Sequence, residues 1–286
     1  MYRKLILENG VRLVTERIPT LKSVTVGIWV NAGSRDELPA QAGFSHFIEH
    51  MFFKGTTSRS ASDISREIDA LGGEMNAFTT RETTTFYVKV LDQHLAKALD
   101  LLSDLLHRSK FGPKEIEKEK QVVQEEIRMV QDDPEDLVQE LHTGQVMGRH
   151  PLGRPILGRA ATIGALRRQD LLDYIDARYQ PQEIVVAVAG NFDQRVLEPL
   201  LDRAAAPGFL GGRLGLCALA ALGVATGLPA RAQLQMAPRF AANYKKAGGN
   251  IELTYFDTDR QPGHSPDLTK IGDTFEKMLA FIGKHM

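Results

Sequence analysis

His46-Phe47-Ile48-Glu49-His50 places two imidazoles and a carboxylate within five residues. On a helix, side chains four apart stand one turn above each other, so His46 and His50 face the same way. At 100° per residue, Glu49 lies about 60° to one side of that pair. Two imidazoles on one face are a natural pair of zinc ligands. A carboxylate beside them can take a proton from a metal-bound water whose acidity the metal has raised. The order reverses the commoner His-Glu-x-x-His arrangement. A lone histidine on an apolar helix is usually a satisfied core residue. Here Phe44, Phe47, Ile48, Met51, Phe52 and Phe53 surround three polar side chains. Buried polar groups need partners, and one divalent cation would serve all three.

A catalytic zinc site wants a third protein ligand and an open position. Cys217 is the only cysteine, so the ligands must be histidine and carboxylate, and no internal disulfide is available. Pro113 to Gln131 reads as a helix, with proline suited to its first turn. Its apolar stripe is Ile116, Val123, Ile127 and Val130. Glu119 and Glu126 fall together at one edge of that stripe, while Glu125 falls on the opposite side. Helix geometry therefore selects Glu126 or Glu119 over Glu125. A solvated acidic helix accounts for Glu115, Glu117 and Glu125, but less well for the two that border the buried stripe.

The elements that must hold these groups alternate along the first two-thirds of the chain. Asn9-Gly10 between LILE and VRLVTERI predicts a hairpin, both residues tolerating positive φ. Ser23 to Asn31 and Glu183 to Gly190 read as buried strands, and Asn76 to Val90 as one long strand or two. Gly43 to Lys54 is apolar nearly all round and reads as a buried helix. Ser62 is positioned to cap a helix stopped by Gly72-Gly73. Further helices are expected over Gln93 to His107, Glu135 to Val146 and Ala165 to Arg178, with another after Asp193. Hairpins mixed with helix runs indicate an α+β fold.

Composition adds exclusions. The 286 residues are 43% apolar and 25% charged, enough for a packed core. Thirty-five basic residues against thirty-six acidic ones give a net charge of -1, which argues against a nucleic-acid partner. Met1 to Glu8 is too short and too charged for a secretory signal, so a cytoplasmic location is expected.

At these residues the chain resembles the pitrilysin/insulinase family of zinc peptidases, to which the β subunit of mitochondrial processing peptidase belongs. The matching text is AGFSHFIEHMFFKGT (42–56), LGGEMNAFTTRETTTFY (71–87), EKQVVQEEI (119–127), HPLGRPILG (150–158) and IVVAVAGNFD (184–193). The resemblance implies that His46, His50 and Glu126 hold one zinc ion and that Glu49 is the catalytic base. It places Glu119 behind a ligand, orienting it. It implies a mixed, mostly antiparallel sheet packed against the zinc-bearing helices. An extended or unfolded peptide substrate is expected to add to a sheet edge at Asn76, Ala77, Phe78 and Thr79, gripped largely through backbone hydrogen bonds.

The likeness runs over residues 1–205. Family members usually carry a further, similar domain that closes over the substrate, and this chain does not resemble it. The chain is therefore expected to be a zinc endopeptidase, acting alone or with a second domain or subunit. The alternatives are a truncated or chimeric chain with an intact zinc site and little activity, and a non-catalytic subunit of the same fold. Residues 206–286 read as a separate tail. Within it, 214–230 is an uncharged run shorter than the ~20 residues a membrane span needs, which reads either as a buried hydrophobic helix or, by its resemblance to a secretory signal, as part of a tail foreign to the domain before it. The stretch 233–286, with His264, faintly resembles the C-terminal histidine loop of α/β-hydrolases. It lacks a Gly-x-Ser-x-Gly nucleophile elbow to act with.

Overall fold

The computed structural model describes residues 2–195 and Leu197. The boundary near residue 206, the uncharged run 214–230 and the hydrolase-like stretch 233–286 lie outside the described residues. Among the described residues the fold is α+β, a six-stranded sheet with helices packed against it.

Strands β1 (Tyr2–Ile6) and β2 (Arg12–Arg17) form the expected hairpin. Only Gly10 takes positive φ there, at 94°. Asn9 serves the turn differently, its Oδ1 accepting from the Val11 N–H at 3.0 Å. β3 (Ser23–Val30) is buried at every residue. The stretch after Gly73 makes two strands, β4 (Glu74–Thr79) and β5 (Thr84–Leu91), joined where Thr80 N–H donates to Thr83 O at 2.7 Å. β6 (Ile184–Gly190), also fully buried, inserts between β2 and β3, parallel to the first and antiparallel to the second. The order is β1-β2-β6-β3-β5-β4, which leaves β4 at an edge. The unbroken apolar run of β6 suits an inner strand covered on both faces.

The helices are α1 (Phe44–Phe52), α2 (Ala61–Ala70), α3 (Leu95–Arg108), α4 (Pro113–Asp132), α5 (Pro134–Met147), α6 (Ala160–Ala165) and α7 (Arg168–Arg178). Two boundaries differ from expectation. Ser60, not Ser62, caps α2, because only Ser60 has an acid three residues on. Ser60 Oγ accepts from Asp63 N–H (3.1 Å), and Asp63 Oδ2 accepts from Ser60 N–H (3.0 Å). The helix expected over Ala165 to Arg178 is interrupted. Leu166 turns extended and buries itself in the core, and Arg167 N–H then donates to Asp170 Oδ2 at 3.0 Å to start α7.

The core lies between the sheet and α1, α3 and α4. Phe52 of α1 meets Phe86 of β5 and Phe111 edge-on, with ring centroids 5.0 and 5.4 Å away. The N-terminus of α1 is anchored by a buried carboxylate. Glu37 accepts from Gly43 N–H (2.8 Å) and Ser45 N–H (2.7 Å), partnering amides a helix leaves free. Burial pushes Glu37 up to about 7, against the pull of those two amides and of Arg154. Beside it, Gly43 (φ +94°) and Gly158 (φ +75°) pass back to back. A Cβ on Gly43 would come within 2.6 Å of Leu157 O, and one on Gly158 would run into the Ala42 carbonyl. The glycine-bearing HPLGRPILG segment thus clamps the entry to α1.

Candidate metal centre and cleft

α1 presents His46 and His50 on one face, their Nε2 atoms 3.2 Å apart. α4 packs across α1 and brings Glu126 Oε2 to 3.8 Å from His46 Nε2 and 3.7 Å from His50 Nε2. These three residues form a group that could hold a metal ion. In a tetrahedral zinc site with bonds of 2.0–2.1 Å, ligand atoms stand roughly 3.3 Å apart. The observed triangle is within a few tenths of an ångström of that. Glu126 Oε2 is buried and has no hydrogen-bond partner among the described residues, although it faces two imidazoles. A buried carboxylate oxygen without a donor is costly, and a cation at the centre of the triangle would satisfy it.

Burial, and next the neighbouring His50, lowers His46 to about 4, so its imidazole is neutral with a lone pair to give. Burial alone would lower His50 as well. The hydrogen bond to Glu119 and the charges of Glu126, Glu119 and Glu49 outweigh it and raise His50. The three carboxylates around His50 thus draw positive charge to its ring, while His46 stays neutral.

Glu119 lies on the other side of the His50 ring from Glu126. It is 3% exposed. Its Oε1 accepts from His50 Nδ1 at 2.8 Å, and its Oε2 pairs with Lys54 Nζ at 2.7 Å. That bond turns His50 Nε2 toward Glu126 and His46. Burial pushes the Glu119 carboxyl up, but His50 and Lys54 together hold it below the ordinary range. Glu125, as the helical stripe requires, is out in solvent and paired with Arg128.

Glu49 faces the same cleft as His46. Burial raises its carboxyl, opposed by the hydrogen bond from Thr79 Oγ1 at 2.6 Å. Asn76, Ala77, Phe78 and Thr79 all lie on edge strand β4. Asn76 is exposed and its Oδ1 accepts from the Ala77 N–H at 2.9 Å, while Phe78 and Thr79 line the cleft. The cleft has a volume of about 720 Å³, within the range of ligand sites. Its opposite wall comes from α5, through Leu137, Glu140 and Leu141, and from residues 153 and 155–160. A larger hollow of about 1020 Å³ near Arg3, Arg17, Asp92 and Asn191 shares none of those lining residues and, among the described residues, carries no histidine. Among the described residues, no helix is long and apolar enough to cross a membrane.

Three features escaped the sequence reading: the Lys54 contact, the Thr79 hydroxyl on Glu49 and the Glu37 cap. Lys54 could have been found, since 46, 50 and 54 continue one four-residue spacing. The other two join elements whose contact no local pattern announces.

An α+β domain with two helix-borne imidazoles, a converging carboxylate from a second helix and a further acid at the cleft defines a metal-site domain. Residues 12–160 match the family described as Insulinase (Peptidase family M16), and the chain belongs to that family. It is 44% identical to an uncharacterised zinc protease of Bacillus subtilis, YmxG, over 69% of this chain and 48% of that protein. It is 46% identical to an uncharacterised zinc protease of Mycobacterium leprae over 65% of this chain and 42% of the other. The matched stretch therefore spans about half the length of these relatives. The fold resembles a Helicobacter pylori protease structure, with a TM-score of 0.69 and 24% identity, covering 73% of this chain and 50% of the other. It also resembles the Escherichia coli periplasmic protease PqqL, with a TM-score of 0.65 and 22% identity, over 72% and 24% respectively.

Proposed function

We propose that residues 1–205 form the metal-binding half of a zinc endopeptidase that cuts extended or unfolded polypeptides. The observation that carries this is the triangle of His46 Nε2, His50 Nε2 and Glu126 Oε2, with sides of 3.2, 3.7 and 3.8 Å, beside a half-buried acid at Glu49. His46, His50 and Glu126 would hold one zinc ion, with Glu119 orienting His50. Zinc there supplies a Lewis acid that polarises a carbonyl and acidifies water.

The remaining work falls to the chain's own residues. Glu49 takes a proton from the attacking water and delivers it to the leaving amine. Its partial burial favours that role, because a raised carboxyl holds a proton more readily than an exposed one. β4 ends the sheet, so its outer backbone can hydrogen-bond a peptide strand laid along Asn76, Ala77, Phe78 and Thr79. Such a grip depends little on side chains and suits polypeptides without fixed structure.

The half-length match favours one companion reading, that turnover needs a second peptidase domain or a partner subunit. A single purification tests both. Bound zinc is measured first, then cleavage of an unstructured peptide with and without a chelator. Glu49→Gln should keep the zinc and lose cleavage by ~10²–10⁴-fold. Zinc without cleavage in the parent chain, restored by adding a separately expressed partner domain, selects the companion reading. A chain that binds no zinc at all overturns the assignment in favour of a non-catalytic subunit.

A further inference from the structure

We propose that Lys54 is a positioning residue of the metal site, acting through Glu119. The inference rests on His46, His50 and Glu126 being the ligands. Glu119 is 3% exposed, so solvent does not orient it. Its carboxylate plane is set by two contacts, Oε1 to His50 Nδ1 at 2.8 Å and Oε2 to Lys54 Nζ at 2.7 Å. The terminal torsion of a glutamate is broad and soft, so neither oxygen is fixed by the side chain's own geometry. With Oε2 pinned by the ammonium, Oε1 is left for the His50 Nδ1–H, and the His50 lone pair then sits on Nε2, toward Glu126 and His46. Freed from Lys54, Glu119 can rotate away from the imidazole or turn an oxygen into the site as a competing ligand. Lys54 therefore makes this second acid a support for His50.

The backbone is built for that placement. Phe53 caps the C-terminal end of α1, and Lys54 N–H returns to Met51 O at 3.2 Å. Gly55, at φ +106°, then turns the chain away. The Lys54 side chain continues the stripe of His46 and His50 one turn further, to the far side of Glu119.

The test uses the full chain, stripped of metal and titrated with zinc against a chromophoric chelator. Lys54→Met should weaken zinc binding by at least ~10-fold, in line with outer-shell partners elsewhere. Lys54→Arg, which keeps the charge, should stay within about threefold of the parent. Glu119→Gln should weaken binding, and adding Lys54→Met to it should change nothing more, because the two act in series. Thermal unfolding of the metal-free variants checks that they fold, and Lys54→Gln serves if Lys54→Met does not. Unchanged affinity in a folded Lys54 variant overturns the proposal. So does an equal loss with and without Glu119. A parent chain that takes up no zinc overturns the ligand assignment itself, and is recognised before any Lys54 variant is compared.

Discussion

Thr79 Oγ1 donates a 2.6 Å hydrogen bond to Glu49 Oε2, tying the last residue of edge strand β4 to the helix that carries both histidines. The one proton of the Thr79 hydroxyl is thereby committed to Glu49. The bond aims the acid proposed as base from the strand proposed to hold the substrate. Thr79→Val should lower kcat by ~10-fold with KM nearly unchanged, while Thr79→Ser should retain activity, a hydrogen bond to a charged group being worth about 1.5–3 kcal/mol. Steady-state kinetics of the two variants decide it, and equal losses in both would count against the hydroxyl.

Adjacent glutamates on α4 should behave oppositely. Glu126 stands at 3.7 and 3.8 Å from the two imidazole nitrogens, whereas Glu125 is 63% exposed and paired with Arg128. Glu126→Ala should weaken zinc binding by ~100-fold or more, and Glu125→Ala by less than about twofold. Equilibrium zinc titration of both variants reads the contrast. A matched loss would mean that bulk charge, and not ligation, governs affinity.

Asp104 is buried at 0% exposure between Thr56, Arg59 and Arg108. Burial pushes its carboxyl up, but those three partners outweigh it and hold it below its ordinary 3.8. A carboxyl depressed in the folded state contributes stability that is fully present above its unfolded value and lost as pH falls through the folded one. Asp104→Asn should therefore cost about 3 kcal/mol at pH 7. The gap should narrow below about pH 4. Urea unfolding of parent and variant at pH 7 and pH 3 measures this. A gap that does not change with pH would trace the cost to packing instead of charge.

Gly158 has φ +75° and presses against the Ala42 carbonyl at the entry to α1. Gly158→Ala should lose about 1–3 kcal/mol from the left-handed backbone and the contact together. Zinc affinity should fall with it, because the same clamp sets where α1 begins. Differential scanning calorimetry gives the first quantity and zinc titration the second. A variant as stable as the parent would show that the loop yields.

Phe52 is 1% exposed and packs edge-on against Phe86 and Phe111. Phe52→Ala should cost ~3–5 kcal/mol in chemical denaturation, by lost transfer energy and the cavity left behind. Phe52→Leu should cost less than half of that. If the two proved equal, ring geometry and not volume would be what holds α1 to the sheet.

The sequence by itself determined what local periodicity can carry. Four-residue spacing put His46 and His50 on one face of a buried helix, and the stripe of α4 set Glu119 and Glu126 apart from Glu125. Buried strands showed as β-branched or apolar runs, and the hairpin at Asn9-Gly10 followed from its turn residues. What needed the tertiary structure was everything fixed by distance between elements remote in the chain. A helical wheel gives direction without depth, so residues alone could not say which of Glu119 and Glu126 meets Nε2 and which meets Nδ1. The crossing of α1 and α4 decides that. The insertion of β6 between β2 and β3, the Glu37 cap, and the contacts of Thr79 and Lys54 have the same origin. Each is a pairing between remote segments, specified by how whole faces pack, and no short stretch of sequence contains both partners.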